Sequence, residues 1–335
     1  MQFPTLAKAL MGAVTVSSML TINPAMAADT KTIKFAVLAP PGSSWMTELN
    51  DLNSRLKERS GGRLKLKIYP GGVMGDETAV IRKLHQGQLQ GAALTGLGLG
   101  EIAPAVRILE WPFMYQDYRT VDKVKNRLKG RLEKEIDKQG FVLLGWSEVG
   151  FVYLFSNKPI RTRADVAGVK MWMWAGDQLA EQTFNELRVT PKPLGITDVL
   201  TSLQTGMING VYNAPLAMLA LQWQSKVKYM ADLKLTMSTG GITVTKKAYD
   251  DLSPDLRKIL KEETAKTADA IVRRGRNEND AAIQTLKRHG IQVTTLANPG
   301  ELKSFQAASD KAAEHLSGKL FPASLVKEVR SMVKH

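Results

Sequence analysis

The sequence predicts an α/β fold, and three observations carry that prediction. Short alternating apolar runs recur between amphipathic helical patterns from Thr32 onward, Gly/Pro clusters punctuate them, and one helical pattern near the C-terminus is too long for a single small domain. Thr32 to Leu38 alternates Ile33, Phe35 and Val37 as a strand, which Pro40-Pro41-Gly42 breaks. Ser44 caps a helix with Met46, Leu49, Leu52 and Leu56 on one face, and Gly61-Gly62 ends it. Leu64, Leu66 and Ile68 alternate with lysines in a second strand, and the Gly/Pro turn from Tyr69 to Gly75 delivers Asp76 to the N-cap of a helix that stops at Gly87. Gln90 to Thr95 is a short buried strand. The Gly96-Leu97-Gly98-Leu99-Gly100 that follows reads as a close-packed turn, because no Lys-Ser/Thr pair follows and the spacing is not that of a dinucleotide fingerprint. Leu109 to Tyr115 is aromatic and broken by proline, hence irregular and buried, and Phe141 to Trp146 and Phe151 to Ser156 read as two further strands.

In the second half, Lys170 to Trp174 alternates so that Trp172 and Trp174 share one face of a strand. Asp177 caps a helix to about Leu187, and Thr190-Pro191-Lys192-Pro193 is an extended link. A helix from Thr197 to Thr205 ends at Gly206, the Asn209-Gly210 turn enters a short strand Val211-Tyr212-Asn213, and Ile242 to Thr245 is a late strand. Ser253-Pro254 opens a helical pattern that continues to His289. At about 1.5 Å per residue it would reach about 54 Å, which fits one helix lying across two lobes or a pair broken near Gly275.

A chain of 335 residues with 44% hydrophobic and 23% charged residues has room for two domains and a sizeable core. The first 27 residues combine Lys8, an apolar stretch from Ala9 to Ile22 and Ala25-Met26-Ala27, the pattern of a secretory signal peptide cleaved after about Ala27. The expected destination is the periplasm. The chain has no cysteine, which excludes disulfides, thiolate metal sites and cysteine nucleophiles. His85, His289, His315 and His335 are scattered without ligand spacing, so neither a metal nor another cofactor is expected. The net charge of +14 raises nucleic acid as a partner, but the basic residues are spread among acidic ones and no nucleic-acid partner is expected. Arg273, Arg274 and Arg276 form a cluster that reads as a solvated helix face or a docking patch. With no Gly-x-Ser-x-Gly turn and no zinc motif, the chain does not read as an enzyme and no catalytic residue is assigned.

A series of short motifs resembles one family. Tyr69-Pro70-Gly71-Gly72 with Gly75 and Glu77, Pro112-Phe113, Asn157-Lys158-Pro159-Ile160 with Asp165 and Gly168, and Leu203-Gln204-Thr205-Gly206 with Asn209-Gly210 and Asn213 are similar in order and spacing to the solute receptors of tripartite ATP-independent periplasmic (TRAP) transporters. The resemblance implies a two-lobed periplasmic solute-binding fold with crossing strands and a long helix spanning both lobes. It divides the chain into lobe one, residues 28–150 with about 240–278, and lobe two, residues 151–239 with about 279–335. It also implies a small-molecule solute and TRAP membrane subunits as partners.

The departures from the family pattern bear on the solute. Trp172 stands where typical members carry an arginine that pairs with a solute carboxylate, and Val152 stands where a second arginine is often found. An enclosed carboxylate without its partner costs ~3–5 kcal/mol, whereas a tryptophan offers roughly 150–250 Å² of contact. The pattern Lys170-Met171-Trp172-Met173-Trp174-Ala175-Gly176-Asp177 resembles an atypical subgroup that binds hydrophobic or amphipathic molecules, sometimes with a helical-repeat periplasmic partner.

The candidate ligand-binding residues follow from these matches. Trp172 and Trp174 form the apolar wall, although a twisted strand would also bury Trp174 in lobe two; Asn213 and Glu77 occupy positions that often touch the solute, and Val152 lies on the crossing strand. Tyr212 points the other way on a regular strand and reaches the cleft only if the backbone is irregular; Trp45 covers the cleft mouth, Glu148 is a hinge or cleft polar group, and Asp177 is an N-cap that also faces the solute. Two alternatives remain open. One is an organic acid held by Arg82, Arg107, Arg161 or Arg163; the other is a non-transport interaction or sensory module docking through its basic surface.

Overall fold

The computed structural model describes Met1 and residues 30–333, so the expected signal peptide, apart from Met1, and its cleavage site lie outside the described residues. The chain opens with β1 (Lys31–Val37), α1 (Ser44–Arg59), β2 (Leu64–Tyr69), α2 (Glu77–His85), β3 (Gly91–Thr95) and α3 (Gly96–Ile102). A 3₁₀ segment, Pro104–Glu110, leads to α4 (Tyr118–Lys138) and β4 (Phe141–Ser156). Then come α5 (Arg163–Ala167), β5 (Trp172–Trp174), α6 (Gln178–Glu186), β6 (Lys192–Leu194), α7 (Val199–Gln204), β7 (Gly210–Asn213) and α8 (Pro215–Ala220). The chain closes with β8 (Tyr229–Thr245), α9 (Lys246–Asp250), α10 (Pro254–Arg288), β9 (Gln292–Thr294), α11 (Pro299–Leu316) and α12 (Ala323–Val333).

These elements build a two-lobed α/β fold on one mixed sheet in the order β2-β1-β3-β8-β4-β7, with β9 added beside β8. β1, β2 and β3 are parallel, as strand-helix-strand connections require, the β3-β8, β8-β4 and β4-β7 pairs are antiparallel, and β9 runs parallel to β8. β4 and β8 pair from Phe141↔Thr245 to Ser156↔Tyr229, so the two strands cross from one lobe to the other. At one end Phe35, Leu49, Leu56, Leu66 and Leu260 gather in a core between β1, β2, α1 and α10, here the first lobe. At the other end Leu154, Met171, Phe184, Leu233 and Phe305 form the core of the second.

Four expectations need correction. Phe141 to Trp146 and Phe151 to Ser156 are one strand, because the Gly150 between them sits at a bulge with φ +124° that bends the chain without ending its pairing. The late strand expected over Ile242 to Thr245 is the tail of β8, whose first half has polar residues at the sheet surface and lacks a continuous apolar run. The helix expected from Thr197 is a 3₁₀ turn, Ile196–Asp198, followed by the short α7. The Gly96 run is helical, since Thr95 caps it through a hydrogen bond from Leu97 N. The long pattern near the C-terminus is one unbroken helix, α10, in which Gly275 is accommodated with only the Glu148 carbonyl 4.0 Å from where a Cβ would stand.

Two glycines test the packing in opposite directions. A Cβ at Gly145 of β4 would lie 2.6 Å from the Ala268 Cβ of α10, whereas Gly130 of α4 faces open space. Gly145→Ala is expected to lower stability by about 1–3 kcal/mol through overpacking. Gly130→Ala should raise it by about 0.5–1 kcal/mol through helix propensity. Denaturant midpoints of the two variants check both signs.

Candidate functional site

Two contiguous cavities lie between the lobes, with Thr95, Trp174, Asn213 and Ser238 common to their walls. The inner chamber, about 70 Å³, has walls from Arg107, Glu110, Val152, Trp172, Asp177 and Tyr212. It is far smaller than the ~300–1,000 Å³ of ordinary ligand pockets. The outer cleft, about 620 Å³, is within that range. Its walls come from the loop after β1 and the start of α1, where Pro40, Pro41 and Trp45 stand, and from α8 and the residue that ends it, Leu216, Leu219 and Leu221.

The inner chamber is organised around one guanidinium. Arg107 is buried, with Nη1 2.6 Å from Glu110 Oε2 and Nη2 donating to Asp177 Oδ1 and Oδ2 at 2.8 and 2.9 Å. Glu110 Oε1 also accepts from Thr239 N, and Asp177 Oδ1 also accepts from Leu179 N and Ala180 N, its N-cap duty on α6. One cation therefore faces two carboxylates, and burial raises the Glu110 pKa because it disfavours a second unbalanced charge. The glycines of α3 make this possible. A Cβ at Gly96 would fall 2.2 Å from Glu110 Oε1, one at Gly98 2.8 Å from Glu77 Oε2, and one at Gly100 2.5 Å from Arg107 Cδ. The expectation of close packing around this run stands, and its cause is three charged side chains laid on a helix face.

Trp172 is 1% exposed, stacked on Tyr212 at 4.9 Å and edge-on to Trp223 at 5.3 Å, and its Nε1 donates to Leu194 O. Trp174 lies 5.6 Å from Trp172 between ring centroids and stands in the wall shared by the two cavities. Its Nε1 donates to Asp76 Oδ2 at 2.8 Å, and Ile196 N donates to the same oxygen at 3.1 Å. Asp76 Oδ1 accepts from Glu77 N and caps α2, so one first-lobe carboxylate holds two groups of the second lobe. Tyr212 reaches the inner chamber although it neighbours Asn213, which borders both cavities. The Tyr212 hydroxyl accepts from Trp174 N at 3.3 Å.

Glu77 is buried beside the outer cleft and accepts from Thr95 N, Thr95 Oγ1 and Gly98 N, each at 2.7 Å. Burial pushes its pKa up to about 7, against the hydrogen bonds that favour the carboxylate. Trp45 borders the outer cleft, as does Val149 of β4. Glu148 does not border either cavity: it is buried beneath α10, bonded to both Arg276 and Lys125, and Arg276 also pairs with Asp122 of α4. Of Glu148's two expected roles, the structure supports the position near the strand bulge and removes it from the cleft. The same contacts dissolve the proposed arginine patch, since Arg276 is enclosed and Arg274 pairs with Glu278 and Glu48 at the cleft wall. Of the four arginines considered as alternative anion sites, Arg107 borders a cavity and Arg82, Arg161 and Arg163 border neither. Glu110 and α8 escaped the sequence reading, and Asp76 was read as a helix cap without its bonds to Trp174 and Ile196; an apolar Leu216, Leu219, Leu221 stripe behind Pro215 was the available signal for α8.

Residues 35–319 match the family model of the bacterial extracellular solute-binding proteins, family 7, DctP. The chain belongs to that family. It is 25% identical over 289 residues to the C4-dicarboxylate-binding periplasmic protein DctP of Rhodobacter capsulatus, covering 84% of each chain. Among solved structures, a TRAP periplasmic solute-binding protein of Ralstonia eutropha H16 with bound (S)-2-acetolactate superimposes with a TM-score of 0.84 at 22% identity, covering 90% of this receptor and 98% of that chain. Another, from Sulfitobacter sp. NAS-14.1 with bound β-D-galacturonate, has a TM-score of 0.82 at 20% identity and covers 90% and 99%. The TRAP-receptor resemblance drawn from the motif series is thus shown at the level of family and fold. No helix among the described residues is long and apolar enough to cross a membrane, and no group of metal-binding side chains occurs among them.

Glu77 gives the receptor a pH-dependent term of definite sign. Folded Glu77 keeps its proton to about pH 7, whereas an unperturbed side chain releases it near 4.5, so the folded state binds more protons across that window. Stability from this group is present below about 4.5 and is lost as pH rises to about 7. Glu77→Gln should be less stable than the parent at pH 4.5, because its amide presents a donor to Gly98 N, and should gain relative to it at each step towards pH 7. Urea unfolding of both proteins across this range measures the slope.

Proposed function

We propose that this chain is a periplasmic receptor of a TRAP-type transporter that takes a hydrophobic or amphipathic small molecule into its interlobe cleft and delivers it to membrane subunits. One observation carries the reading: Trp172, at the position where the resemblance places a carboxylate-binding arginine, is buried against Tyr212 and Trp223 and closes a chamber of about 70 Å³. The chamber's own cation, Arg107, already faces Glu110 and Asp177. A solute carboxylate would have to displace Asp177, leaving that carboxylate buried and unpaired at a cost of ~3–5 kcal/mol. The roomier outer cleft has proline, tryptophan and leucine walls, where covering apolar surface contributes about 25 cal/mol per Å². Trp172, Trp174, Val152, Asn213, Glu77, Tyr212, Trp45 and Asp177 surround the two spaces and are the proposed site residues. Glu148 is proposed for the hinge.

The lobe division proposed with this reading assigns residues 28–150 with about 240–278 to lobe one and 151–239 with about 279–335 to lobe two; Leu49, Leu66 and Leu260 in one core and Leu154, Leu233 and Phe305 in the other support it, while Phe113 packs into the second core. A helical-repeat periplasmic partner belongs to the same reading as the atypical Trp-containing motif. A second reading rests on Arg107, the one cation of the inner chamber among the described residues, and on relatives whose names or bound molecules are organic acids. In it, an acid replaces Asp177 on the guanidinium.

Solvent extraction of the purified receptor followed by mass spectrometry separates the two. An apolar or amphipathic molecule should copurify, and succinate or galacturonate should leave the melting temperature unchanged. Stabilisation by such acids that disappears in Arg107→Gln would establish the second reading and reject the first.

A further inference from the structure

One end of the sheet, in the second lobe, gathers cations that the sequence scatters. β4 ends at Ser156, which pairs with Gly210 at the start of β7 and Tyr229 at the start of β8, and Tyr229 pairs in turn with Gln292 at the start of β9. At about 4.8 Å between neighbouring strands, these four strand ends stand within roughly 15 Å of one another. Backbone bonds draw their flanks together: Lys228 N donates to Ser156 O, Gln292 N to Lys228 O, Asn157 N to Asn209 O, and Asn209 N to Lys170 O. Lys158, Lys170, Lys226, Lys228, Lys287 and Arg288 stand on those flanks, and each is exposed. The segments that supply them, residues 149–164, 166–176, 199–231 and 281–300, contain no acidic residue, and Asp165 between the first two is held by Thr162 in a capping box. None of these cations pairs with a carboxylate among the described residues; Lys170 Nζ donates to Gly206 O and Arg288 Nη2 to Thr285 Oγ1. Like charges gathered this way repel, so the placement destabilises the fold unless an outside partner offsets it. The same end carries Met207, which lies three residues before Gly210 in the turn between α7 and β7 and is 54% exposed.

We propose that this end of the second lobe docks on an anionic phospholipid surface, with its cations on head-group phosphates and Met207 entering the boundary between head groups and acyl chains. Charge complementarity supplies the attraction, and a lysine meets a phosphate as a point charge that needs no fixed geometry. The composition favours lipid over a protein partner. Interfaces between proteins are depleted of lysine and enriched in aromatic residues and arginine. Here all the gathered cations but Arg288 are lysines, and no aromatic side chain in the four segments is exposed. A single exposed methionine amid cations suits an interfacial anchor, which combines apolar contact with attraction to anionic lipid. Export, expected from the signal-peptide pattern, sets such a surface within the receptor's reach. The inference is independent of which solute the cleft takes.

Co-sedimentation of the mature receptor with sucrose-loaded vesicles tests it. At about 50 mM salt the receptor should pellet with vesicles of phosphatidylglycerol and phosphatidylethanolamine but not with phosphatidylcholine alone, and about 500 mM salt should release it. The combined variant Lys158→Gln, Lys226→Gln and Lys228→Gln should bind these vesicles roughly a hundredfold more weakly, at about fivefold per cation. Met207→Ser should weaken binding by at least about threefold through lost apolar contact. A charge-matched control, Lys34→Gln, Lys65→Gln and Lys67→Gln, alters exposed lysines of β1 and β2 in the other lobe. It should stay within about threefold of the parent, because those charges lie beyond screening distance of the docked end. Circular dichroism melting curves confirm that each variant is folded, and the comparison of lipids on the unaltered receptor needs no variant. Equal losses in the two lysine variants would reduce the effect to net charge and overturn the assignment of this end. No pelleting with phosphatidylglycerol, or pelleting only when the vesicles carry the membrane subunits, would overturn the lipid partner. Release by inorganic phosphate at constant ionic strength would overturn it in favour of free phosphate.

Discussion

The antiparallel pairing of β4 with β8 is the constraint on which the rest of the structure depends. The two strands pair from Phe141↔Thr245 to Ser156↔Tyr229, so one ribbon runs from the first lobe into the second. Val149 and Ser238 border the outer cleft, while Val152, Leu235 and Thr236 border the inner chamber, all from this one ribbon. Its register slips at Glu148/Gly150, where Gly150 adopts φ +124° and Asn279 of α10 donates to Val149 O. A Cβ there would lie 2.4 Å from Asn279 Nδ2, so the bulge, its glycine and the spanning helix form a single device. Bending at a bulge re-aims the side chains on either side without breaking the sheet. That is how one strand supplies walls to two spaces of different polarity.

The buried ionisable side chains have partners inside the protein before any solute arrives. Arg107 is held by Glu110 and Asp177, Glu77 by Thr95 and Gly98, and Glu148 by Arg276 and Lys125. Arg107 and Glu110 are neighbours in one 3₁₀ segment, whereas the Arg107–Asp177 pair joins that segment to the start of α6. Breaking such a buried pair costs more than the pair itself contributes, because the survivor is left charged in a low-dielectric setting. The inner chamber is accordingly a poor receiver of a further anion and a good anchor for lobe closure. Trp174 adds to that anchor: its ring is a wall and its Nε1 is tied to Asp76 of the opposite lobe.

Much of the fold was legible in the sequence because its signals are local. Asp76 as a cap, the alternation of Ile33, Phe35 and Val37, and the glycine turns each act within a few residues, while the cap of α1 is Ser43, one residue before the Ser44 expected. What was illegible depended on partners far along the chain. The Gly96 run resembles a turn in isolation; it is helical because Glu77, Glu110 and Arg107 need the space its missing side chains leave. The split strand expectation failed because Gly150 is a local breaker but a global bulge, stabilised by Asn279 more than a hundred residues on. Trp172 and Trp174 were singled out by strand alternation and by the family resemblance that sets Trp172 in an arginine's place, yet their contacts diverge, Trp172 bonding to Leu194 and Trp174 to Asp76. Arg107 carried no motif. Its importance lies in being buried between two carboxylates, which no spacing rule encodes.

These balances redistribute the work of recognition. Where a receptor's cation is already matched internally, an anionic solute brings its desolvation cost and finds no unmatched partner, so selectivity cannot come from charge. On the proposed reading it comes from shape and from contact along the outer cleft's wall, which includes Trp45 and α8. Contacts of the protein's own join the lobes, with Asp76 accepting from Trp174 and Ile196 and Arg107 donating to Asp177. Closure of that kind does not require the solute to bridge the lobes by ion pairing. It requires only that the solute fill the outer cleft without holding Trp174 away from Asp76, so the indole that forms the wall also limits the solute's size.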